Sequence, residues 1–311
     1  MDKSFISIGE SIHASIPKTG KVMEQLRGLG AGAYDKPSEP LDYIKGLVES
    51  QAAEGADYIA VNLDAFGETD PQIAVEMMVE YVRLVRESSS GIPVCIDSSD
   101  DNVLEAGLKE WYNSDRQVPQ PLVNSVKTYT AEKMLPLKKD YDYAFIGLLM
   151  SETGGAHSVD DLCSLAKQLF DAAVAHGFKA SEIFFDTSIF PLAIDMPMMP
   201  GEAGHTYNTF ETMKKISSDP QMQGVHFTGG ITNCVRDLPG RKIGVMRAYV
   251  HKAMEYGLDS GIINVKHNLA QGQTDPELLK LVEAYAKMDG STEAMNNAMT
   301  LMGQFCQQAR K

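Results

Sequence analysis

The chain has 311 residues, of which 28 are basic and 42 acidic, and its formal net charge is −14. Such a balance excludes nucleic acid as the expected partner, because a phosphate backbone requires clustered Lys and Arg. No apolar signal stretch or membrane-length apolar run is present. The four cysteines form no Cys-x-x-Cys pair, which is typical of reduced cytosolic proteins. We therefore predict a cytoplasmic protein that does not enter a membrane.

Short apolar runs recur along the chain, and most of them end in a small group of polar residues. Runs without polar alternation are typical of parallel strands that are covered on both faces. The eight predicted strands cover residues 5–8, 58–61, 93–96, 121–123, 144–150, 183–185, 224–231 and 261–263.

Amphipathic stretches of helical length separate these strands. A helix over residues 71–87 follows Asp70, which we predict to be its N-cap. A capping box at Ser158-Val-Asp-Asp161 precedes a helix over residues 162–175, and another helix covers residues 242–256. Strands that alternate with helices predict an α/β fold, the (β/α)8 TIM barrel. An open doubly wound sheet is the alternative.

No internal repeat or low-complexity linker divides the chain, so we predict one domain over residues 1–311. The barrel takes residues 4–270 and a C-terminal helical extension takes residues 271–311. Many Gly and Pro residues at 16–40 predict a mobile loop after the first strand. A long loop rich in Met and Pro is predicted over residues 188–208.

Polar residues at the predicted strand ends are the candidate functional residues, because the C-terminal strand ends of a barrel meet at one mouth. Carboxylates only accept hydrogen bonds, whereas amides both donate and accept. This mixture suits a ring with N–H, C=O and NH2 edges, such as a pterin. A strand-end Asp or Asn also caps helices or closes turns. The candidates are Glu10, Asn62, Asp97, Asn124, Asp186 and Asn233, with Asp64 as an additional position.

The candidate set lacks the thiolates or multiple histidines of a structural zinc site, and we predict no bound metal. The chain also has no Gly-x-x-x-x-Gly-Lys phosphate loop and no Gly-x-Gly-x-x-Gly motif.

Seven short motifs around these residues occur in a family's order. They are Ile8-Gly-Glu10, Val61-Asn62, Cys95-Ile-Asp-Ser-Ser99, Leu122-Val-Asn-Ser125, Phe185-Asp186, Gly230-Ile-Thr-Asn233 and Leu238-Pro-Gly-Arg241. The ordered set resembles the pterin-binding, corrinoid-dependent methyltransferases. These include methyltetrahydrofolate:corrinoid protein methyltransferase, the folate domain of cobalamin-dependent methionine synthase and the methyltransferase II component of anaerobic demethylase systems. Dihydropteroate synthase is a more distant relative.

The resemblance implies a role for each matching residue. Residues that match Asp97, Asn124 and Asp186 hold the pterin ring, and Asn233 reaches N5, where the methyl group sits. Arg241 lies near the folate.

The sequence departs from the family pattern at two places. Ala60 stands where the family often has Asp, and Asp64 follows instead. Lys127 stands where a small or polar residue is more usual. It would either meet the glutamate tail of a folate or form a surface ion pair.

The implied function is methyl transfer between N5 of tetrahydrofolate, or of 5-methyltetrahydrofolate, and the cobalt of a corrinoid in anaerobic one-carbon or demethylation metabolism. The chain has no Asp-x-His-x-x-Gly cobalt-ligand motif, so the corrinoid is expected on a separate corrinoid-binding protein. The resemblance also implies a homodimer. One alternative is a dihydropteroate-synthase-like condensing enzyme, for which only Lys127 and Arg241 offer basic groups. The other alternative is a non-catalytic folate-binding protein.

Overall fold

The computed structural model describes residues 5–154, 158–197, 199 and 201–309. The strands in this part of the chain are β1 (Ile6–His13), β2 (Tyr58–Asn62), β3 (Val94–Asp97), β4 (Leu122–Val126), β5 (Ala144–Leu148), β6 (Ile183–Asp186), β7 (His226–Thr228) and β8 (Ser260–Ile263).

All eight strands are parallel and form one sheet in the order β7-β6-β5-β4-β3-β2-β1-β8. A bridge between Gly230 and Ile262 joins the chain after β7 to β8 and closes the sheet. The predicted (β/α)8 barrel is confirmed, and the open doubly wound alternative is wrong. The predicted strands differ most in β1, which continues to His13.

Helices surround the sheet, and several begin where the sequence predicts. Asp70 caps the helix at Pro71, and Ser158 with Asp161 forms the predicted capping box. The α-helices in the described residues are α1 (Pro17–Gly28), α2 (Glu39–Ala53), α3 (Asp64–Gly67), α4 (Pro71–Ser88), α5 (Asp101–Tyr112), α6 (Ala131–Met134), α7 (Val159–Ala175), α8 (His205–Ser217), α9 (Lys242–Met254), α10 (Pro276–Ala286) and α11 (Thr292–Ala309).

Two apolar layers hold the barrel together. The outer layer fills the space between the sheet and the helices and includes Ile59, Val61 and Phe185. The inner layer fills the barrel itself, as in other closed barrels of this size. Its buried members are Ile8, Ala60, Cys95, Leu122, Ala144, Ile146 and Phe184.

The predicted loop over residues 16–40 is wrong in its first half, which is helix α1. Pro17 starts this helix, where a missing N–H costs nothing, and the helix buries its own Met23 and Leu26 side chains. Position 20 in the helix requires glycine because a Cβ there would stand 2.1 Å from the backbone oxygen of Ala14. This glycine therefore reflects close packing of α1 against the end of β1.

The predicted loop after β6 is present, but it ends where α8 begins at His205. Asp195 in this loop is fully buried. Its carboxylate accepts hydrogen bonds from the backbone N–H groups of His205 (2.7 Å) and Thr206 (2.9 Å). The loop is thus fixed to the N-terminus of α8, where the helix dipole favours a negative charge.

The C-terminal segment also holds the loop after β6. The N–H of Gly204 donates to the carbonyl oxygen of Met288 at 2.8 Å. A Cβ at Gly290 would lie 2.4 Å from the carbonyl oxygen of Gly201, so the two backbones touch. We call these two contacts the clasp.

The C-terminal helices cover the side of the barrel. Helix α10 packs on α9 and α8, and α11 packs on α10, where Phe305 and Ala298 are buried. No helix in the described ranges is long and apolar enough to cross a membrane.

We expect Asp195→Ala to lower the free energy of unfolding by about 2–4 kcal/mol, because it leaves the N–H groups of His205 and the buried Thr206 without their charged acceptor. Asp195→Asn keeps one acceptor and should cost less. Chemical denaturation measures both. Asp160→Ala is the matched control, because that carboxylate is 87% exposed near the start of α7 and should cost under about 1 kcal/mol. Equal losses for Asp195→Ala and Asp160→Ala would contradict the anchoring role.

Candidate functional site

The strand-end residues reach the mouth through the two-residue period of a β-strand. Side chains alternate between the faces of a strand, so a residue two positions beyond an inward apolar residue also points inward. Five predicted residues stand in this relation to the inner layer. The pairs are Ile8 and Glu10, Ala60 and Asn62, Cys95 and Asp97, Leu122 and Asn124, and Phe184 and Asp186.

One cavity of about 270 Å³ lies on top of the inner layer. Ala60 and Ile262 from that layer contribute to its lining. All six predicted strand-end residues line it, together with Ile12, His13, Gly230 and Thr232. The structure thus brings together Glu10, Asn62, Asp97, Asn124, Asp186 and Asn233.

Asp97 is fixed by the amides on its two neighbouring strands. The Asn124 amide nitrogen donates to Asp97 Oδ1 at 2.9 Å, and Asn62 also hydrogen-bonds the carboxylate. The Asn62 oxygen accepts from the N–H of Asp64 at 3.2 Å, so its NH2 group faces Asp97. Helix α5 is capped by Asp100, so Asp97 is not the cap of this helix.

Glu10 and Asp186 are held from other sides of the cavity. The Thr232 hydroxyl donates to both Glu10 oxygens, at 2.8 and 3.1 Å, and the Asn264 backbone also hydrogen-bonds that carboxylate. Asp186 Oδ1 accepts from the N–H of Ser188 at 2.7 Å. Each carboxylate is therefore oriented before any ligand enters.

Asn233 differs from the other amides of the cavity. It lies on the 3-10 helix Ile231–Val235, and its side chain makes no hydrogen bond with any residue in the described part of the chain. A Cβ at Gly230 would stand 3.0 Å from the Asn233 amide nitrogen. A side chain at that glycine would crowd the amide, which is otherwise available to a ligand.

Burial controls the protonation of the carboxylates. Desolvation raises the pKa of Asp97 to about 7, with Asp64 and Asp186 adding to the increase and Asn62 and Lys127 opposing it. Desolvation raises the pKa of Asp186 to about 6, against the hydrogen bond from Ser188. It also raises the pKa of Glu10. The cavity thus favours a ligand whose N–H donors replace the lost water.

Asp64 lies beside the cavity rather than in its lining. Its carboxylate accepts from the Ser98 hydroxyl at 2.5 Å and from the Ser99 N–H at 2.8 Å. It therefore holds the segment that follows Asp97.

Lys127 and Arg241 also stand outside the lining. Lys127 is only 6% exposed and forms no ion pair with a described residue, so the expected surface ion pair is wrong. Arg241 pairs with Asp275 at 2.5 Å and borders a separate cavity with α10 and α11. Its contact with a folate stays a prediction.

His13 and Thr232 also line the cavity, and neither was predicted as a site residue. His13 lies beyond the predicted end of β1, and Thr232 is inside the quoted Gly230-Ile-Thr-Asn233 motif. Polarity next to a strand end was the available indication for both. No cluster of three or more His, Cys, Asp or Glu residues able to hold a metal is found among the residues that the structure describes.

Comparisons with known proteins agree with this geometry. A family model described as "Pterin binding enzyme" matches residues 38–264. Methionine synthase from Mycobacterium tuberculosis is 24% identical over 287 residues, which is 89% of this chain and 22% of that protein. The chain therefore spans about a fifth of that relative's length.

Solved structures of dihydropteroate synthase share the fold. The Yersinia pestis protein, with a pterin–sulfa conjugate, has a TM-score of 0.52 and 12% identity, over 91% of this chain and 95% of that one. The Coxiella burnetii protein, in complex with pteroic acid, has a TM-score of 0.52 and 12% identity, over 91% and 94%.

We expect Asp97→Asn to raise the free energy of unfolding at pH 8 by roughly 1–3 kcal/mol. The pKa of this carboxyl is higher in the folded chain than in the unfolded one. The destabilisation caused by its ionisation therefore reaches its full value above about pH 7. The gain should shrink as the pH falls from 7 toward 4, where both states become protonated. Denaturation at pH 5 and pH 8 measures it, with the exposed Asp115→Asn as control. A gain independent of pH would contradict this origin.

Proposed function

Because the chain belongs to the pterin-binding enzyme family, we propose that it is a methyltransferase acting between N5 of tetrahydrofolate and the cobalt of a corrinoid. The corrinoid is carried on a separate protein. Three oriented carboxylates and one free amide around a single cavity support this function. The similarity to methionine synthase supports it as well.

The pterin ring is held by the carboxylates and amides of the cavity. Asp97 accepts from the N3–H and 2-amino groups, which present two donors on one edge of the ring. Asn124 and Asp186 meet the remaining polar edge, because amides can both donate and accept. The apolar floor at Ala60 and Ile262 excludes water from beneath the ring.

Asn233 acts at N5, where the methyl group is transferred. When bound, the corrinoid cobalt supplies or accepts the methyl group by direct displacement. Asn233 turns its free amide to donate to the N5 lone pair or to accept from an N5–H. It thereby stabilises the charge that develops at N5, while the rest of the cavity fixes the ring in line.

The single observation that favours methyl transfer over condensation is the charge of the cavity. A dihydropteroate synthase must hold a pyrophosphate leaving group, which requires cations at the ring. Within the described residues, the lining contains Glu10, Asp97 and Asp186 but neither Lys nor Arg, and the buried Lys127, which acts on Asp97, lies outside it. Arg241 is paired with Asp275 elsewhere. Methyl transfer has no pyrophosphate leaving group and requires no such cation.

The mouth suits a protein partner that carries the corrinoid. Apolar side chains are exposed on the loop after β6, including Ile194 (54%) and Met199 (61%), and Tyr129 follows β4 with 42% exposure. Exposed apolar side chains around a polar cavity are typical of protein contact sites. We also propose a cytoplasmic homodimer that works in anaerobic one-carbon or demethylation metabolism, with the C-terminal helices at the subunit interface.

Turnover tests the proposed function directly. Protein mixed with methylcobalamin and tetrahydrofolate should change the corrinoid spectrum, and cob(I)alamin with 5-methyltetrahydrofolate should do so in reverse. Asn233→Ala should lower kcat/KM on the order of 100-fold, with a much smaller change in folate affinity. Asn297→Ala, an exposed amide on α11, is the control.

Other outcomes of the same assays would contradict the proposal. Folate binding without a spectral change in either direction would favour a non-catalytic folate binder. Condensation of a dihydropterin pyrophosphate with 4-aminobenzoate would favour the synthase. Equal losses of affinity and kcat/KM in Asn233→Ala would remove that residue's catalytic role.

Folate affinity should depend on pH through Asp97. Its pKa is raised to about 7, and only the carboxylate form accepts two ring donors. We therefore expect tetrahydrofolate to bind about 10-fold more weakly at pH 6 than at pH 8. Calorimetry under anaerobic conditions measures this. Asp97→Asn should bind weakly at both pH values, and a pH slope unchanged in this variant would contradict the assignment.

A further inference from the structure

An irregularity in β1 places a second polar side chain in the cavity from one strand. Gly9 pairs with Ile59, but the next pair is Ile12 with Val61, so β1 contains one extra residue. The pairing then continues with His13 beside Asn62. Bulges next to functional sites commonly redirect a side chain in this way. Here His13 joins Glu10 in the cavity lining.

The extra residue is supported by helices outside the barrel. The N–H of Ser11 donates to Gln51 Oε1 at 3.0 Å, and the Thr19 hydroxyl donates to the Ser11 carbonyl at 3.5 Å. Gln51 and Thr19 are both buried. A Cβ at Gly9 would lie 2.3 Å from Gln51 Oε1, so a larger residue there would displace the Gln51 side chain that holds Ser11. The bulge is therefore a fixed part of the fold.

The imidazole of His13 has a defined hydrogen-bonding state. Its Nδ1 accepts from the Ser15 N–H at 3.1 Å, so the proton of the neutral ring lies on Nε2. Burial lowers the pKa of His13, and the nearby Asp64 only partly opposes this. The ring is thus neutral around pH 7 and presents one N–H donor.

His13 also lies where two cavities meet. A side cavity of about 500 Å³ between the loops after β1, β2 and β3 shares His13 and Asn62 with the strand-end cavity. The Asn62 amide is already bonded to Asp64 and Asp97. The strand-end cavity alone is smaller than the roughly 300–1,000 Å³ of most ligand sites. A folate has a substituent that must leave the ring cavity.

We propose that His13 is a positioning residue that donates its Nε2–H to an acceptor on the substituent of the bound folate, at the junction of the two cavities. This inference rests on the proposed folate function. His13 takes no part in the methyl transfer itself. Its effect is on which reduced pterins bind well, because a bare ring has no acceptor at that junction.

Calorimetry with two ligands tests this role: tetrahydrofolate, and 6-methyltetrahydropterin, which lacks the aminobenzoyl-glutamate arm. His13→Leu should weaken the binding of tetrahydrofolate about 3- to 10-fold. It should change the affinity for the bare pterin by less than about 2-fold. His13→Gln places an amide N–H near the Nε2 position and should restore most of the loss. His176→Leu, at the end of α7, is the matched control, and thermal melts verify folding.

These outcomes distinguish a failure of the His13 role from a failure of the proposed folate function. Failure of the wild-type chain to bind either ligand would overturn both. Normal wild-type binding with equal losses for the two ligands in His13→Leu, or with no loss, would overturn the role of His13 alone. The ratio of affinities between wild type and His13→Leu should be constant from pH 6.5 to 8.5. A ratio that falls as the pH rises would indicate a cationic ring and contradict the neutral donor.

Discussion

The whole site depends on the two-residue period of inward side chains in the barrel strands. The same period that buries Ile8, Cys95 and Phe184 in the inner layer places carboxylates directly above them. Packing and ligand binding are therefore not independent. A strand that moved by one residue would exchange its inner-layer and outer-layer side chains and turn its polar end residue away from the mouth.

The cavity carries an electrostatic cost that the fold only partly offsets. Three carboxylates lie above an apolar floor, and burial raises the pKa of each. Hydrogen bonds from Asn124, Thr232 and the Ser188 backbone orient them without supplying a neutralising charge. Sites that retain such groups commonly exchange some stability for binding. The missing donors are those that a pterin edge provides.

The sequence was informative wherever local pattern and function coincide. Apolar runs located the eight strands, and the polar residues after them located six residues of the cavity. The first half of residues 16–40 was mispredicted because Gly20 serves helix packing rather than a turn. His13 was missed because the bulge that redirects it depends on Gln51, which is distant in sequence. Arg241 follows a recognisable motif, yet its partner Asp275 lies beyond the barrel.

The clasp gives the last part of the chain an influence over when the mouth is complete. Synthesis proceeds from the N-terminus, and domains form as their segments emerge. All barrel strands have been synthesised once Ile263 has been added to the chain. Met288, whose carbonyl oxygen accepts from the Gly204 N–H, is added later. A nascent barrel can therefore form its inner layer before the loop after β6 is held in place. The strand-end cavity, whose last lining residue is Ile262, is then complete before the loop after β6 is held.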